Sequence, residues 1–172
     1  VVVHETRPGS EELKRVPLDA IVSQREERAR IETRAGEAVI WEAPTRYEGR
    51  CTWLEHGGRV LRLLPCMAKG YDYGRISVRF VPTANDVLFV GWVNPRIASV
   101  EISFADGSQM VVEPKQGFLL AELPVGNVVR GHEATTIVPR DSEGKAVPPT
   151  IDVGKAFAYA PCAGPLQGRS CG

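Results

Sequence analysis

Val100-Glu101-Ile102-Ser103-Phe104-Ala105-Asp106-Gly107-Ser108-Gln109-Met110-Val111-Val112 is the stretch that decides the fold class. Val100, Ile102 and Phe104 alternate with Glu101 and Ser103, the period of a strand with one buried face. Asp106-Gly107 then predicts a tight hairpin turn in which both residues supply positive φ. Met110 and Val112 return on the buried side, so the segment reads as a β-hairpin.

Outward from this hairpin the same pattern recurs from Gly36 onward. Strands are expected at 37–42, 50–55, 59–64, 74–81, 86–93, 98–104, 109–113, 117–123 and 135–138. His56-Gly57-Gly58 joins two of them, and Asp141-Ser142-Glu143-Gly144 reads as a further hairpin turn leading to Ala146-Val147. The latter lacks the alternating acidic ligands of a calcium loop. Repetition of strands at about 8–12 residues is the signature of a sandwich or barrel. The chain shows no internal repeat at a solenoid or propeller period.

The N-terminal third reads differently. Ser10-Glu11-Glu12-Leu13 opens with a helix-capping residue, but Pro17 interrupts it. Leu18, Ile21, Val22 and Ile31 follow helical spacing, and Glu26/Arg30 make an i,i+4 pair. Residues 1–35 are therefore expected to form a short surface helix or a charged arm, and residues 36–150 the β domain. Residues 151–172, rich in Pro, Gly and Cys at their end, are expected to be an irregular tail.

The 172 residues suffice for a domain with a real core, and 43% hydrophobic with 24% charged residues is ordinary for a globular protein. Twenty-one basic residues balance 21 acidic ones, so no long-range field gathers nucleic acid or anionic lipid. The same neutrality does little to oppose self-association. No apolar run approaches the roughly 20 residues of a membrane-spanning helix. Val1-Val2-Val3 does not read as a signal peptide, and a start without Met fits a mature product with its leader or anchor removed, or an artificial boundary.

The four cysteines, Cys51, Cys66, Cys162 and Cys171, allow three connectivities. Their neighbours in sequence favour Cys51–Cys66 and Cys162–Cys171, bridges that would each stabilise by about 2–3 kcal/mol. Free thiols or a zinc site are the alternatives, but there is no CxxC and no His at ligand spacing from a Cys pair. Oxidised cysteines imply an extracytoplasmic location, secreted or at the cell surface.

Chemistry-bearing residues are sparse. His4, His56 and His132 are the histidines, and His132 beside Glu133 on a loop is the pair on which a hydrolase would rest. No GxSxG nucleophile elbow accompanies it. Glu101, Glu113 and Glu122 lie on expected strands, where they read as polar face and not as a glycosidase pair. The 17 glycines form neither GxxxxGK[ST] nor GxGxxG, so nucleotide binding is not expected, and no cofactor is. Tyr71 and Tyr73, with Trp53 on a neighbouring strand, are candidates for a stacking platform for carbohydrate or a partner's side chains. The competing reading places Trp41, Trp53 and Trp92 between sheets.

Ala43-Pro44-Thr45 followed by Gly49-Arg50-Cys51-Thr52-Trp53-Leu54, with Cys66 downstream, resembles a motif of uncharacterised secreted or membrane-anchored proteins of actinobacterial type. Val90-Gly91-Trp92-Val93, Ile97–Phe104, Asp106-Gly107 and Gly117-Phe118 through Leu123-Pro124 resemble the immunoglobulin-like segment that follows in them. The resemblance spans residues 36–147 and implies an extracytoplasmic immunoglobulin-like β-sandwich with no activity to carry over. The expectation is a non-catalytic interaction or structural domain, such as a subunit of a cell-surface assembly. Its exposed strand edges would accept a strand from another chain, either a protein partner or a second copy in self-association, with the N-terminal arm or the C-terminal tail as the segment that reaches across. A ligand-sensing or carbohydrate-binding module and a hydrolase are the alternatives.

Overall fold

The computed structural model describes residues 20–64, 66–69, 75–83, 86–124 and 131–156. The described residues divide into two compact units, one over residues 20–69 and one over residues 75–156. The sequence carries no composition break at this boundary, and residues 36–150, expected to be one domain, fall on both sides of it.

The first unit holds an antiparallel sheet in sequential order: β1 (Glu26–Thr33), β2 (Gly36–Pro44), β3 (Arg50–His56) and β4 (Arg59–Leu63). β1 corrects the expected helix. Over Leu18–Ile31 the described residues form a 3-10 turn at Val22–Gln24 and then this strand. The i,i+4 pairing is replaced by strand geometry, in which Arg30 bonds Glu27 on its own strand and Glu37 across the hairpin. Ala29 is buried and Ile31 half-buried opposite Ala38, so cross-strand packing overrides local helix preference. The expected cap at Ser10 lies outside the described residues.

Between β3 and β4 the turn follows the expected chemistry. His56 pairs with Arg59 around Gly57 (φ 57°) and Gly58 (φ 74°), the two positive dihedrals of a type I′ hairpin. Beyond β4 the chain returns beside β3: Arg50 and Met67 exchange main-chain hydrogen bonds of 2.8 and 2.7 Å. A disulfide joins Cys51 to Cys66 at that point, one of the two expected bridges. Cys162 and Cys171 lie outside the described residues. The close return explains Gly49, where a Cβ would stand 2.4 Å from the Met67 carbonyl oxygen.

The second unit is a sandwich of two antiparallel sheets. One has the order β5–β6–β9, with β5 at Ile76–Pro82, β6 at Val87–Val93 and β9 at Phe118–Glu122. The other has the order β11–β10–β7–β8, with β7 at Ser99–Phe104, β8 at Gln109–Val112, β10 at Ala134–Arg140 and β11 at Ile151–Asp152. Val78, Phe80, Phe89 and Leu119 from the first sheet share one core with Val100, Ile102, Val112 and Ile137 from the second. Phe80 and Phe89, opposite each other across β5 and β6, pack tilted with centroids 5.5 Å apart. Every residue of β6 is buried, as its unbroken apolar run requires.

Nine expected strands are present, with ends shifted by no more than about two residues, a usual boundary uncertainty. Two details differ. In the β7–β8 turn only Gly107 (φ 84°) has positive φ. Gly107 N donates to Phe104 O and Phe104 N to Ser108 O, a type I turn closed by a glycine bulge instead of a two-residue turn. Asp106 favours this form because its side chain accepts from Ser108 N. The residue 141–145 turn repeats the pattern with Gly144 at φ 79°. Second, the expected irregular tail begins too early: Ile151 is buried opposite Ile137, and β11 runs into a single helical turn, α1 (Val153–Ala156).

Candidate functional site

Two clusters gather the side chains with chemical potential, one in each unit. In the first, Trp41 and Trp53 stand directly opposite on β2 and β3, on the same face as Glu55. The Glu55 carboxylate accepts from both indoles: Trp41 Nε1 donates to one oxygen at 2.9 Å and Trp53 Nε1 to the other at 3.0 Å. Indole is only a donor and carboxylate only an acceptor, so the pairing is matched. The Arg25 guanidinium lies 4.4 Å from the Trp41 ring centroid and 3.7 Å from Glu55, which supplies a counter-charge and a cation–π contact.

This arrangement is a closed clasp. Trp53 is fully buried, so in this structure it packs the interior and presents no stacking face to a ligand. Trp41 is half-buried beneath Arg25. Tyr71 and Tyr73 lie outside the described residues. On the other face of the sheet, the buried Glu42 carboxylate accepts from Arg28 Nε (3.1 Å) and Nη2 (2.8 Å) and from Arg50. Arg28 also pairs with Glu26 at 2.7 Å. Two guanidinium groups offset the desolvation of a carboxylate that is 6% exposed.

The second cluster lies where the β7–β8 turn meets the residues before β10. Asp106 accepts from Ser108 Oγ at 2.6 Å and Ser108 N at 2.9 Å through one oxygen, and pairs with His132 Nδ1 at 2.9 Å through the other. The Ser108 hydroxyl, then His132 and the Ser108 amide, hold the Asp106 carboxyl down at about 2. Glu133 contributes its main-chain oxygen to Ala105 N at 2.9 Å. The partner of His132 is thus Asp106, 26 residues away, and not the adjacent Glu133.

Serine, histidine and aspartate together invite comparison with a hydrolytic triad. In a triad the serine donates to the imidazole, which the carboxylate orients from behind. Here both Ser108 Oγ and His132 Nδ1 address the carboxylate, so the hydroxyl proton is directed to Asp106 and the imidazole is not placed to take it. The arrangement ties a turn to a loop. His56 in the first unit contacts the Thr33 hydroxyl at 3.0 Å across neighbouring hairpins. Among the described residues no group of three or more His, Cys, Asp or Glu could hold a metal ion, and no helix is long and apolar enough to cross a membrane.

Sequence reasoning missed both clusters as clusters. Trp41, Trp53 and Glu55 become neighbours once β2 and β3 pair in register, so a Trp-x-Glu on one strand facing a Trp on the next was the available signal. Asp106 and His132 meet only through tertiary folding, with no local spacing to announce it. Among the described residues, Tyr47 and Val111 are the large apolar residues left exposed, Tyr47 between β2 and β3 and Val111 on β8.

Comparison with protein-family models, with curated proteins and with solved structures finds no match to this chain in any of the three.

Proposed function

We propose that the protein is a non-catalytic extracytoplasmic domain with an interaction or structural role, built on an immunoglobulin-like sandwich. The observation that carries this reading is the use of its reactive-looking side chains. Trp41, Trp53, Glu55, Asp106, Ser108 and His132 bind one another and hold turns and strands in place. The Cys51–Cys66 bridge supports the compartment, because such bonds persist in oxidising surroundings.

Strand order supports the immunoglobulin-like assignment. In that fold the first, second and fifth strands share one sheet, and the third, sixth and seventh share the other. The second unit places β5, β6 and β9 together and β7, β10 and β11 together, and departs from the seven-strand constant-type order in its fourth strand, β8, which lies beside β7 and not in the sheet of the first strand. The role is tested on intact cells that produce the protein. A membrane-impermeant cross-linker should capture it in a defined adduct, with Cys51 and Cys66 resistant to alkylation until reduced. Recovery of both thiols in reduced form with no adduct overturns the proposal.

A further inference from the structure

We infer that β8 is an assembly edge that pairs antiparallel with β8 of a second copy, with Val111 on the two-fold axis. This deepens the interaction-domain reading and rests on it.

The edges of the described sheets are not alike. β1 carries Glu26, Glu27, Arg28, Arg30 and Glu32 and has an irregular register between Glu27 and Ala29, both of which discourage a further strand. β4 includes Arg59 and Arg62, and β5 has Arg79 and ends at Pro82. β9 ends in Glu122, and β11 has two residues before the helical turn. β8, Gln109-Met110-Val111-Val112, is the described edge strand with neither a charge nor a proline, and Val111 on it is 59% exposed.

The register fixes which main-chain groups face outward. Phe104 N bonds Ser108 O, and the ladder continues Ser103↔Gln109, Ile102↔Met110, Glu101↔Val111 and Val100↔Val112. Hydrogen-bonded and non-bonded pairs alternate in an antiparallel ladder. Met110 and Val112 therefore bond inward to β7, while the N–H and C=O groups of Gln109 and Val111 point away from it. Met110 and Val112 turn their side chains toward the core, and Gln109 and Val111 turn theirs to solvent.

A second copy is the occupant this edge fits. Placing Val111 opposite Val111 of the second copy lets the outward groups of both strands bond reciprocally and covers two exposed valines with each other. Gln109 then lies opposite Glu113 of the second copy, so an amide donor meets a carboxylate and no like charges face each other. The zero formal charge of the chain adds no long-range repulsion. The pairing is isologous and closes at two copies.

Sedimentation of the full chain over a concentration series should show a monomer–dimer equilibrium. Val111→Lys, at a position exposed enough to preserve the fold by far-UV circular dichroism, places two ammonium groups on the axis and should weaken the dimer roughly tenfold. Val111→Cys should give a cross-linked dimer under mild oxidation, while Gln109→Cys, opposite residue 113 and not itself, should not. Association that survives Val111→Lys without cross-linking through Val111→Cys overturns the β8 assignment and leaves the interaction-domain reading intact. A strictly monomeric wild-type chain at every concentration overturns self-pairing, and the cell-surface cross-linking then decides the broader reading separately.

Discussion

Glu55→Gln changes almost no volume and removes one acceptor from the clasp between β2 and β3. The carboxylate serves two indole N–H groups with two oxygens. Glutamine has one oxygen and an NH2, so one indole donor must face another donor. A buried donor left without a partner costs about 1–3 kcal/mol. The amide turns its oxygen to the fully buried Trp53, so the half-buried Trp41 carries the unpaired donor, which favours the lower part of that range. Loss of the counter-charge to Arg25, whose side chain is 40% exposed, adds under about 1 kcal/mol. Urea unfolding should therefore show Glu55→Gln destabilised by about 1–2 kcal/mol. Trp41→Phe provides the internal control because it removes one of the competing donors. In the double variant the glutamine oxygen can serve Trp53 alone, so the second substitution should cost less than it does in the wild-type background. A change of less than about 0.5 kcal/mol for Glu55→Gln, or strictly additive costs in the cycle, would refute the clasp as described.

Replacing both Cys51 and Cys66 by alanine should destabilise the first unit by about 3 kcal/mol, since a bridge across 15 residues restricts the unfolded chain by that much, and matching unfolding curves would contradict this. Gly91→Ala should cost about 3 kcal/mol or more, because its Cβ would lie 2.2 Å from Ser77 O and 2.9 Å from Val78 Cα. Gly154→Ala, which meets only Asp152 Oδ1 at 3.5 Å, is the tolerated comparison in the same melting assay. Asp106 should titrate by NMR near 2, below its ordinary value of 3.8. Its contribution to folding is present above that ordinary value and is lost as pH falls through about 2. Ser108→Ala should raise the midpoint more than His132→Ala, and the reverse order would be inconsistent with the hydroxyl as the leading cause.

Strands were legible wherever the sequence alternated or ran apolar between glycine-marked turns, as at β6, β7 and β8. β1 was not, because its Glu26/Arg30 spacing suits a helix and its Arg34-Ala35 turn lacks the usual Asn, Asp or Gly pair. Its strand identity comes from β2, against which Ala29 and Ile31 pack. β11 has only two residues, too few for a period, and Ile151 counts as a strand residue only because Ile137 lies opposite. Trp53 illustrates the same limit at the site level. An aromatic residue on a strand reads equally as a platform or as core, and the burial that the folded sheet gives it decides for core. The Asp106–His132 contact is wholly tertiary, so the chain around either residue contains nothing that names the other.

The Cys51–Cys66 bridge also governs how the chain would behave under tension. β4 and the His56–Arg59 hairpin lie inside the covalent loop, so a pull on the chain ends passes directly from residue 51 to residue 66. About 50 Å of contour length, at roughly 3.3–3.6 Å per residue, stays withheld while the bond is intact. Under load, reduction would turn the first unit from a short link into a longer one.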